Sequence, residues 1–465
     1  MQYYPIELTA IRKKIANKIV NKNNKIQKRI DFQENSYNVK EISNEFGETL
    51  VRVDGDIPVD LHIEKGQRFL FISYDQSRYS HGIHKYPAKF FPELPRWLIN
   101  RYSKEGDLIL DPFAGSATTN IEALLNGRNS VGIDVDPFAR LLAKVKTTPL
   151  DSVKLNKVVE KLLKQIVAYK PELVNNSDIP IFHYIDNWFT KDILLELSYI
   201  IKLIDNLKSD DDIINFCKIC FSSIIRFVSN ADDNCTRTVV RKSLNKQIYP
   251  SMALVKFAEN LLVNANSIIE FTNKYTTNSI VTFPIDNDAR YIAYPDNHFD
   301  LAVTSPPYGN AVDYPRTHQL EMYLLGLATG SLSPLKAIHI GTEVVKVADY
   351  KTLHKIGEKE ADIVIAKIFD KDPRRAYIAY KYMYDMKLNL IEVYRTLKSG
   401  ARYIVVVGNN TIRGENFESW KYFMNIGEQV GFKVETYFGS EIIKHFIKVP
   451  REERINTDWV IVLQK

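Results

Sequence analysis

The chain has 465 residues, 45% of them hydrophobic and 25% charged, with a net charge of +6. That length suits two or three domains and that composition an ordinary packed core, which excludes disordered and fibrous classes. Three cysteines exclude a disulfide framework, and with no signal-peptide pattern and no apolar run of about 18 residues a soluble cytoplasmic protein is expected.

In chain order, residues 11–30 carry eight Lys or Arg (Arg12, Lys13, Lys14, Lys18, Lys22, Lys25, Lys28, Arg29) and no acid. Ile11, Ile15, Ile19, Ile26 and Ile30 recur at near-helical spacing, which predicts an amphipathic helix whose cationic face is either solvated or in contact with phosphates. Asp107–Asp111 reads as a short buried strand, and Thr119–Asn126 begins a helix that stops at Gly127. Ser130–Asp134 reads as a second strand, with Asp136-Pro137 as cap and first turn of the next helix. This βαβα order predicts a parallel sheet covered on both faces.

Between 150 and 275 the alternation gives way to helical periodicity at 153–168, 187–206, 212–228 and 252–271, an inserted subdomain. Within it Cys217-x-x-Cys220 has only Cys235 nearby, so a zinc site is not expected. The sheet resumes at Ser279–Phe283 and Asp300–Thr304. Residues 315–375 read as irregular, and a long helix over 376–398 ends at Ser399-Gly400. Strands at Arg402–Val407 and Phe432–Phe438 flank a helix near 416–430, and Thr457–Gln464 closes the chain as a strand.

Two strand-to-loop junctions carry the chemistry. The first is Asp111-Pro-Phe-Ala-Gly-Ser-Ala-Thr-Thr119. Ligands of open parallel sheets bind beyond the carboxyl ends of strands, and Gly115 lets the backbone turn close to a bound molecule. Asp134, 23 residues after Asp111, suits hydrogen bonding to ribose hydroxyls. The plainer alternative is a tight βα turn followed by a capping Asp. With Asp288-Ala289 after the third strand, the set points to a nucleotide-like cofactor, while the acids and the lack of a Walker lysine disfavour a phosphorylated one. The second junction is Thr304-Ser-Pro-Pro-Tyr308. Pro306 and Pro307 remove two N–H donors and fix two φ angles, leaving carbonyl oxygens free to face an exocyclic amine. Tyr308 offers a ring for stacking.

Together the two segments resemble the S-adenosylmethionine-dependent amino-methyltransferases of DNA, and Ser305 at the head of the second motif resembles the cytosine-N4 branch. The resemblance covers roughly residues 81–140 and 280–464. It implies a Rossmann-like, seven-stranded, mostly parallel α/β sheet with a helical insertion. It further implies that the glycine turn (Asp111, Pro112, Phe113, Gly115, Ser116, Thr118) holds the methionine part of the cofactor, that Asp134 binds the ribose, and that Asp288 with Ala289 meets the adenine. His84-Lys-Tyr-Pro-Ala-Lys-Phe-Phe-Pro92 looks like the segment that closes over the cofactor, with Tyr86, Lys89 and Phe90 in contact. The family turn usually has a third small residue that is glycine; here it is Ala117, which is tolerable if its φ is negative. Catalytic roles fall to Ser305, Pro306, Pro307 and Tyr308: carbonyl and hydroxyl acceptors draw protons from the amine as positive charge grows on it, and the tyrosine stacks on the base.

A base inside a duplex must be flipped out to reach such a loop. Candidate DNA contacts are Arg237, Arg241, Lys242 and Lys246 in the insertion, Arg316 after the catalytic loop, and Arg374 with Arg375. The expected division is an N-terminal extension at 1–75, a catalytic domain at 76–149 and 276–465, and a target-recognition insertion at 150–275, with 315–375 as rival. Double-stranded DNA is the expected partner, and a cognate restriction endonuclease is a candidate one. The leading function is a cytosine-N4 DNA methyltransferase of a restriction–modification or defence system. Alternatives are adenine-N6 methylation of DNA, methylation of an RNA base amine, and a non-catalytic DNA-binding module.

Overall fold

The computed structural model describes residues 6–34, 39–43, 47–309, 312–442 and 457–465; the side chains of Arg29, Ile30 and Lys242 lie outside the described residues. The strands are β1 (Val39–Ser43), β2 (Thr49–Asp54), β3 (Arg68–Ile72), β4 (Leu108–Asp111), β5 (Asn129–Gly132), β6 (Val281–Thr282), β7 (Phe299–Thr304), β8 (Leu397–Gly408), β9 (Asn410–Ile412), β10 (Glu415–Phe417), β11 (Lys433–Glu441) and β12 (Thr457–Gln464). Among the described residues β9 and β10 pair separately, and the other strands form one ten-stranded sheet in the order β1-β2-β3-β11-β12-β8-β7-β4-β5-β6. The run β8-β7-β4-β5-β6 is parallel throughout, whereas β12 is antiparallel to both neighbours.

Both faces of this sheet are buried, as a parallel sheet requires. In β4, Ile109 faces one apolar cluster and Leu110 the other; in β8, Ile404 and Val406 oppose Tyr403, Val405 and Val407. The helix Glu93–Tyr102 packs on the first face through Leu94, Trp97 and Leu98, and the helices Pro373–Thr396 and Ser419–Val430 cover the second. Helices Ser152–Val167, Lys191–Asp205, Asp211–Val228 and Met252–Lys274 share a further core with Pro137–Thr147. Cys217 and Cys220 are buried in that layer. Among the described residues no helix is long and apolar enough to cross a membrane.

Several expectations need correction. Seven strands were expected and all seven occur, but β1, β2 and β3 extend the sheet beyond β11 to ten. β1 and β2 mix Lys, Glu, Arg and Asp with few apolar residues, whereas β3 carries the apolar run Phe69–Ile72, a signal the sequence reading passed over. Residues 315–375, read as irregular, contain the helix Lys359–Lys371, capped by Glu358. The helix expected over 376–398 starts earlier, at Pro373 behind the cap Asp372, and ends at Thr396 because β8 begins at Leu397. The strand expected at Ser279–Phe283 is only Val281–Thr282. The basic helix spans Leu8–Glu34 and buries Ile11 and Ile15. Three of its cations pair with the body of the protein: Arg12 with Glu160 at 2.6 Å, Lys14 with Glu259 at 2.6 Å and Lys22 with Asp75 at 2.9 Å.

Candidate active site

The strand order reverses between β4 and β7. From β4 the chain builds outward through β5 and β6, then returns to add β7 and β8 on the other side. A crevice at such a switch point, beyond the carboxyl ends of the strands, is where open α/β sheets bind ligands. β4 runs into the glycine turn and β7 into Ser305–Tyr308, so the two motifs emerge side by side. A direct hydrogen bond joins them: the Thr304 hydroxyl donates to Asp111 Oδ1 at 2.6 Å.

One cavity opens there. Its walls include every residue singled out for the cofactor, namely Tyr86, Lys89, Phe90, Asp111, Pro112, Phe113, Gly115, Ser116, Thr118, Asp134, Asp288 and Ala289, and also Ser305 and Pro307 of the catalytic loop. Pro306 and Tyr308 do not line it. The Tyr308 hydroxyl instead donates to Asp458 Oδ1 at 2.6 Å.

The turn is shaped by hydrogen bonds to acids and by a ring. Asp134 Oδ2 accepts from Gly115 N at 2.9 Å and its Oδ1 from Asp136 N at 2.8 Å, which draws the end of β5 against the turn. Gly115 has φ +48, and a Cβ there would sit 3.3 Å from the Tyr86 ring. Tyr86 in turn stacks on Tyr314 with centroids 5.6 Å apart. Ala117 departs from expectation: its φ is +62, the left-handed region that alanine disfavours. Below the turn the buried Lys146 Nζ donates to the Ser116 carbonyl at 2.8 Å, while burial holds its pKa well below the ordinary lysine value.

Acid predominates around the cavity. Burial pushes the Asp111 carboxyl up to about 6, against the opposing hydrogen bonds from Thr304 and the Phe113 amide. Burial and the neighbouring charge of Asp136 push Asp134 up to about 6 as well. Asp288 accepts from the Arg290 guanidinium at 2.6 and 2.9 Å, and although burial opposes it, this pair holds its carboxyl below the usual range. The buried hydroxyls of Ser116 and Thr118 have no hydrogen-bond partner among the described residues.

Sequence reasoning missed the wall formed by Ile338, His339 and Ile340. His339 Nε2 lies 3.6 Å from Asp136 Oδ2, and the Ile338 carbonyl accepts from Arg290 at 2.8 Å, so this segment is attached to both sides of the cavity. Nothing in its local pattern marks it, nor does any pattern mark Lys146 beyond a lysine amid the apolar positions of its helix.

The two segments considered for target recognition meet near this cavity. The insertion's loop at 230–246 meets residues adjoining the wall: Thr238 donates to the Thr317 carbonyl at 2.7 Å and Lys85 to the Asp233 carbonyl at 2.9 Å. Inside the loop Lys246 donates to the Arg226 and Ala231 carbonyls and pairs with Asp233 at 2.9 Å, while Arg241 lies 3.4 Å from the buried Asp232. Arg375 pairs with Glu343 at 2.6 Å and Arg374 donates to the Glu343 carbonyl at 2.8 Å. Despite burial, these two arginines and Arg237 hold the Glu343 carboxyl below its usual range. Among the described residues the guanidinium groups of Arg237 and Arg316 make no hydrogen bond or ion pair within 4 Å, and Arg237 acts on Glu343 only through its longer-range charge.

Comparison with known proteins finds sequence similarity to DNA methyltransferases. A family model described as DNA methylase matches residues 4–144. The type II methyltransferase M.MvaI of Kocuria varians is 25% identical over 75% of this chain and 81% of its own length. M.BsoBI of Geobacillus stearothermophilus is 26% identical over 78% of this chain and 81% of its own. M.MjaII of Methanocaldococcus jannaschii reaches 34% identity, over 38% of this chain and 33% of its own. These matches support an amino-methyltransferase family.

Proposed function

We propose that the chain is a site-specific DNA methyltransferase that moves a methyl group from S-adenosylmethionine to the N4 amine of a flipped-out cytosine, within a restriction–modification or related defence system. The observation that carries this reading is the single cavity bounded by both the glycine turn after β4 and Ser305 with Pro307 after β7. The similarity to type II DNA methyltransferases supports DNA as the substrate.

The residues present fit the cofactor. Asp111 and Asp134 supply negative charge and hydrogen-bond acceptors in a buried site, and the unpartnered Ser116 and Thr118 hydroxyls are available to a polar ligand. The carboxylates of Asp134 and Asp288 keep lone pairs for a ribose diol and an adenine amine, and Phe113 with Ile338 and Ile340 offers apolar surface to a flat ring. When bound, S-adenosylmethionine supplies an electrophilic methyl on a sulfonium.

Cytosine N4 is a weak nucleophile because its lone pair is delocalised into the ring. The Ser305 hydroxyl and the Ser305 and Pro306 carbonyls accept its protons and stabilise the charge that grows during attack. Tyr308 stacks on the base, and the proton leaves afterwards to Ser305 or solvent. Alignment and charge stabilisation are the protein's contribution to the rate. Arg237, Arg316, Arg374 and Arg375 contact phosphates around the extruded nucleotide, with Arg241 and Lys246 shaping the loop that presents Arg237. Extrusion costs a few kcal/mol, recovered by stacking and phosphate contacts. The helical insertion and the segment around Glu343 then form one recognition surface.

The test is incubation of plasmid DNA with labelled cofactor, followed by digestion to nucleosides. Labelled N4-methylcytosine is expected. N6-methyladenine would reassign the base, label confined to RNA would reassign the substrate, and no label in either would remove catalysis from the reading.

A further inference from the structure

We propose that Asp458 is the positioning residue for Tyr308, its carboxylate fixing the axis of the ring that meets the target base. The inference rests on the function proposed above and deepens it. β12 runs antiparallel to β8 and β11, so its first residues, rather than its last, reach the carboxyl edge of β4, β7 and β8. Asp458 is the second residue of β12, opposite Gly408 in β8 and Ser440 in β11. A residue 150 positions beyond Tyr308 is thereby delivered to the catalytic loop, where its Oδ1 accepts the phenol hydrogen at 2.6 Å.

The loop needs such a tie. Its two prolines cannot donate backbone hydrogen bonds, so no ladder holds it beyond Thr304. At its far end Gly309 packs so closely that an added Cβ would stand 3.1 Å from Tyr382 and 3.3 Å from Asn410. Between those points the hydroxyl–carboxylate bond anchors the far end of the Tyr308 ring. A bond from a hydroxyl to an ionised carboxylate is of the strong class, and 2.6 Å is typical of it. With both ends of its long axis held, the ring loses little further freedom on binding. Burial pushes the Asp458 carboxyl up to about 6, lowered in part by the Tyr308 hydroxyl and raised by the charge of Glu441, which itself pairs with Arg68. The carboxylate form therefore prevails at neutral pH.

The test uses the full chain as wild type, Tyr308→Phe, Asp458→Ala, Asp458→Asn and the double variant Tyr308→Phe/Asp458→Ala. For each, kcat and KM on plasmid DNA are measured, with cofactor affinity by calorimetry. Tyr308→Phe and Asp458→Ala should each lower kcat about tenfold, and the double variant should fall no further. Asp458→Asn, whose amide oxygen still accepts the phenol hydrogen, should recover most of what Asp458→Ala loses, and cofactor affinity should stay at the wild-type value throughout. Multiplying losses in the double variant, or full kcat in Tyr308→Phe beside a deficient Asp458→Ala, would overturn the assignment. A wild type that methylates no nucleic acid would overturn the function instead. The same proteins then report through thermal unfolding, where additive effects of the two single changes would sink the contact by itself.

Discussion

Asp111→Asn separates what the site does for folding from what it does for binding. Asp111 is buried, and its carboxyl is raised from 3.8 to about 6. Each unit of displacement corresponds to about 1.4 kcal/mol, so ionised Asp111 costs the empty protein about 3 kcal/mol at most. The sign follows from the direction of the shift. A carboxyl whose folded value is raised favours folding while protonated, and that advantage is lost as pH climbs from about 4 through about 6. Asparagine keeps an oxygen to accept from Thr304 and from the Phe113 amide while removing the charge and its repulsion with Asp134. Thermal unfolding of the empty proteins between pH 4 and 8 should show Asp111→Asn close to wild type at the acid end. It should become more stable by about 1–3 kcal/mol at pH 8. Calorimetry with S-adenosylmethionine at pH 8 should show affinity lost by tenfold or more, because the buried negative charge is what a cationic ligand recovers. A variant less stable than wild type at pH 8, or one that binds normally, would refute both the electrostatic cost and its purpose.

Gly115→Ala forces a Cβ onto a backbone at φ +48 and to within 3.3 Å of the Tyr86 ring, so a stability loss of about 1–2 kcal/mol and weakened cofactor binding are expected from unfolding and calorimetry. His339→Gln tests the wall segment. Burial opposes protonation of His339, but its contact with Asp136 prevails and raises it above 6.5, while Asp136 is lowered below 3.8. The pair therefore stabilises between those values and fades as pH rises through the folded histidine value. The stability difference between variant and wild type should be largest below about pH 6.5 and shrink as pH rises through the raised histidine value. Arg374→Ala and Arg375→Ala should each weaken DNA binding uniformly across sequences and reduce the logarithmic salt slope by about one, measured by titration at several salt concentrations. An unchanged slope would remove these arginines from the interface.

The parts of the site legible in the sequence were those written locally. Asp111–Thr119 and Ser305–Tyr308 each end a buried strand, and a parallel sheet sends such ends to one edge, so their meeting in one cavity follows from strand order. What escaped was written across distance. Asp458 is separated from Tyr308 by 150 positions and arrives only because the last strand reverses direction. The Ile338–Ile340 wall has no periodicity of its own and is held from outside by Arg290 and Asp136. β1 and β2 are short half-polar strands that join the sheet only through β3, which in turn pairs with the edge β11 offers.

Ala117 shows how far a local rule carries when the surroundings decide the outcome. The rule forbids little: a left-handed alanine costs about 1–2 kcal/mol relative to its ordinary conformation. Against that stand the backbone entropy glycine would lose on folding, about 0.5–1 kcal/mol, and about 0.8 kcal/mol for a methyl buried where Ala117 is fully covered. The terms nearly cancel, so alanine persists at φ +62 with its neighbour's hydrogen bonds intact. Two positions earlier the same backbone sign meets a different environment. At Gly115 a methyl would press to 3.3 Å from the ring of Tyr86, which lines the cavity, so crowding adds to the strain rather than offsetting it. Glycine is required where a second element must approach the turn, and dispensable where only the turn's own curvature is at stake.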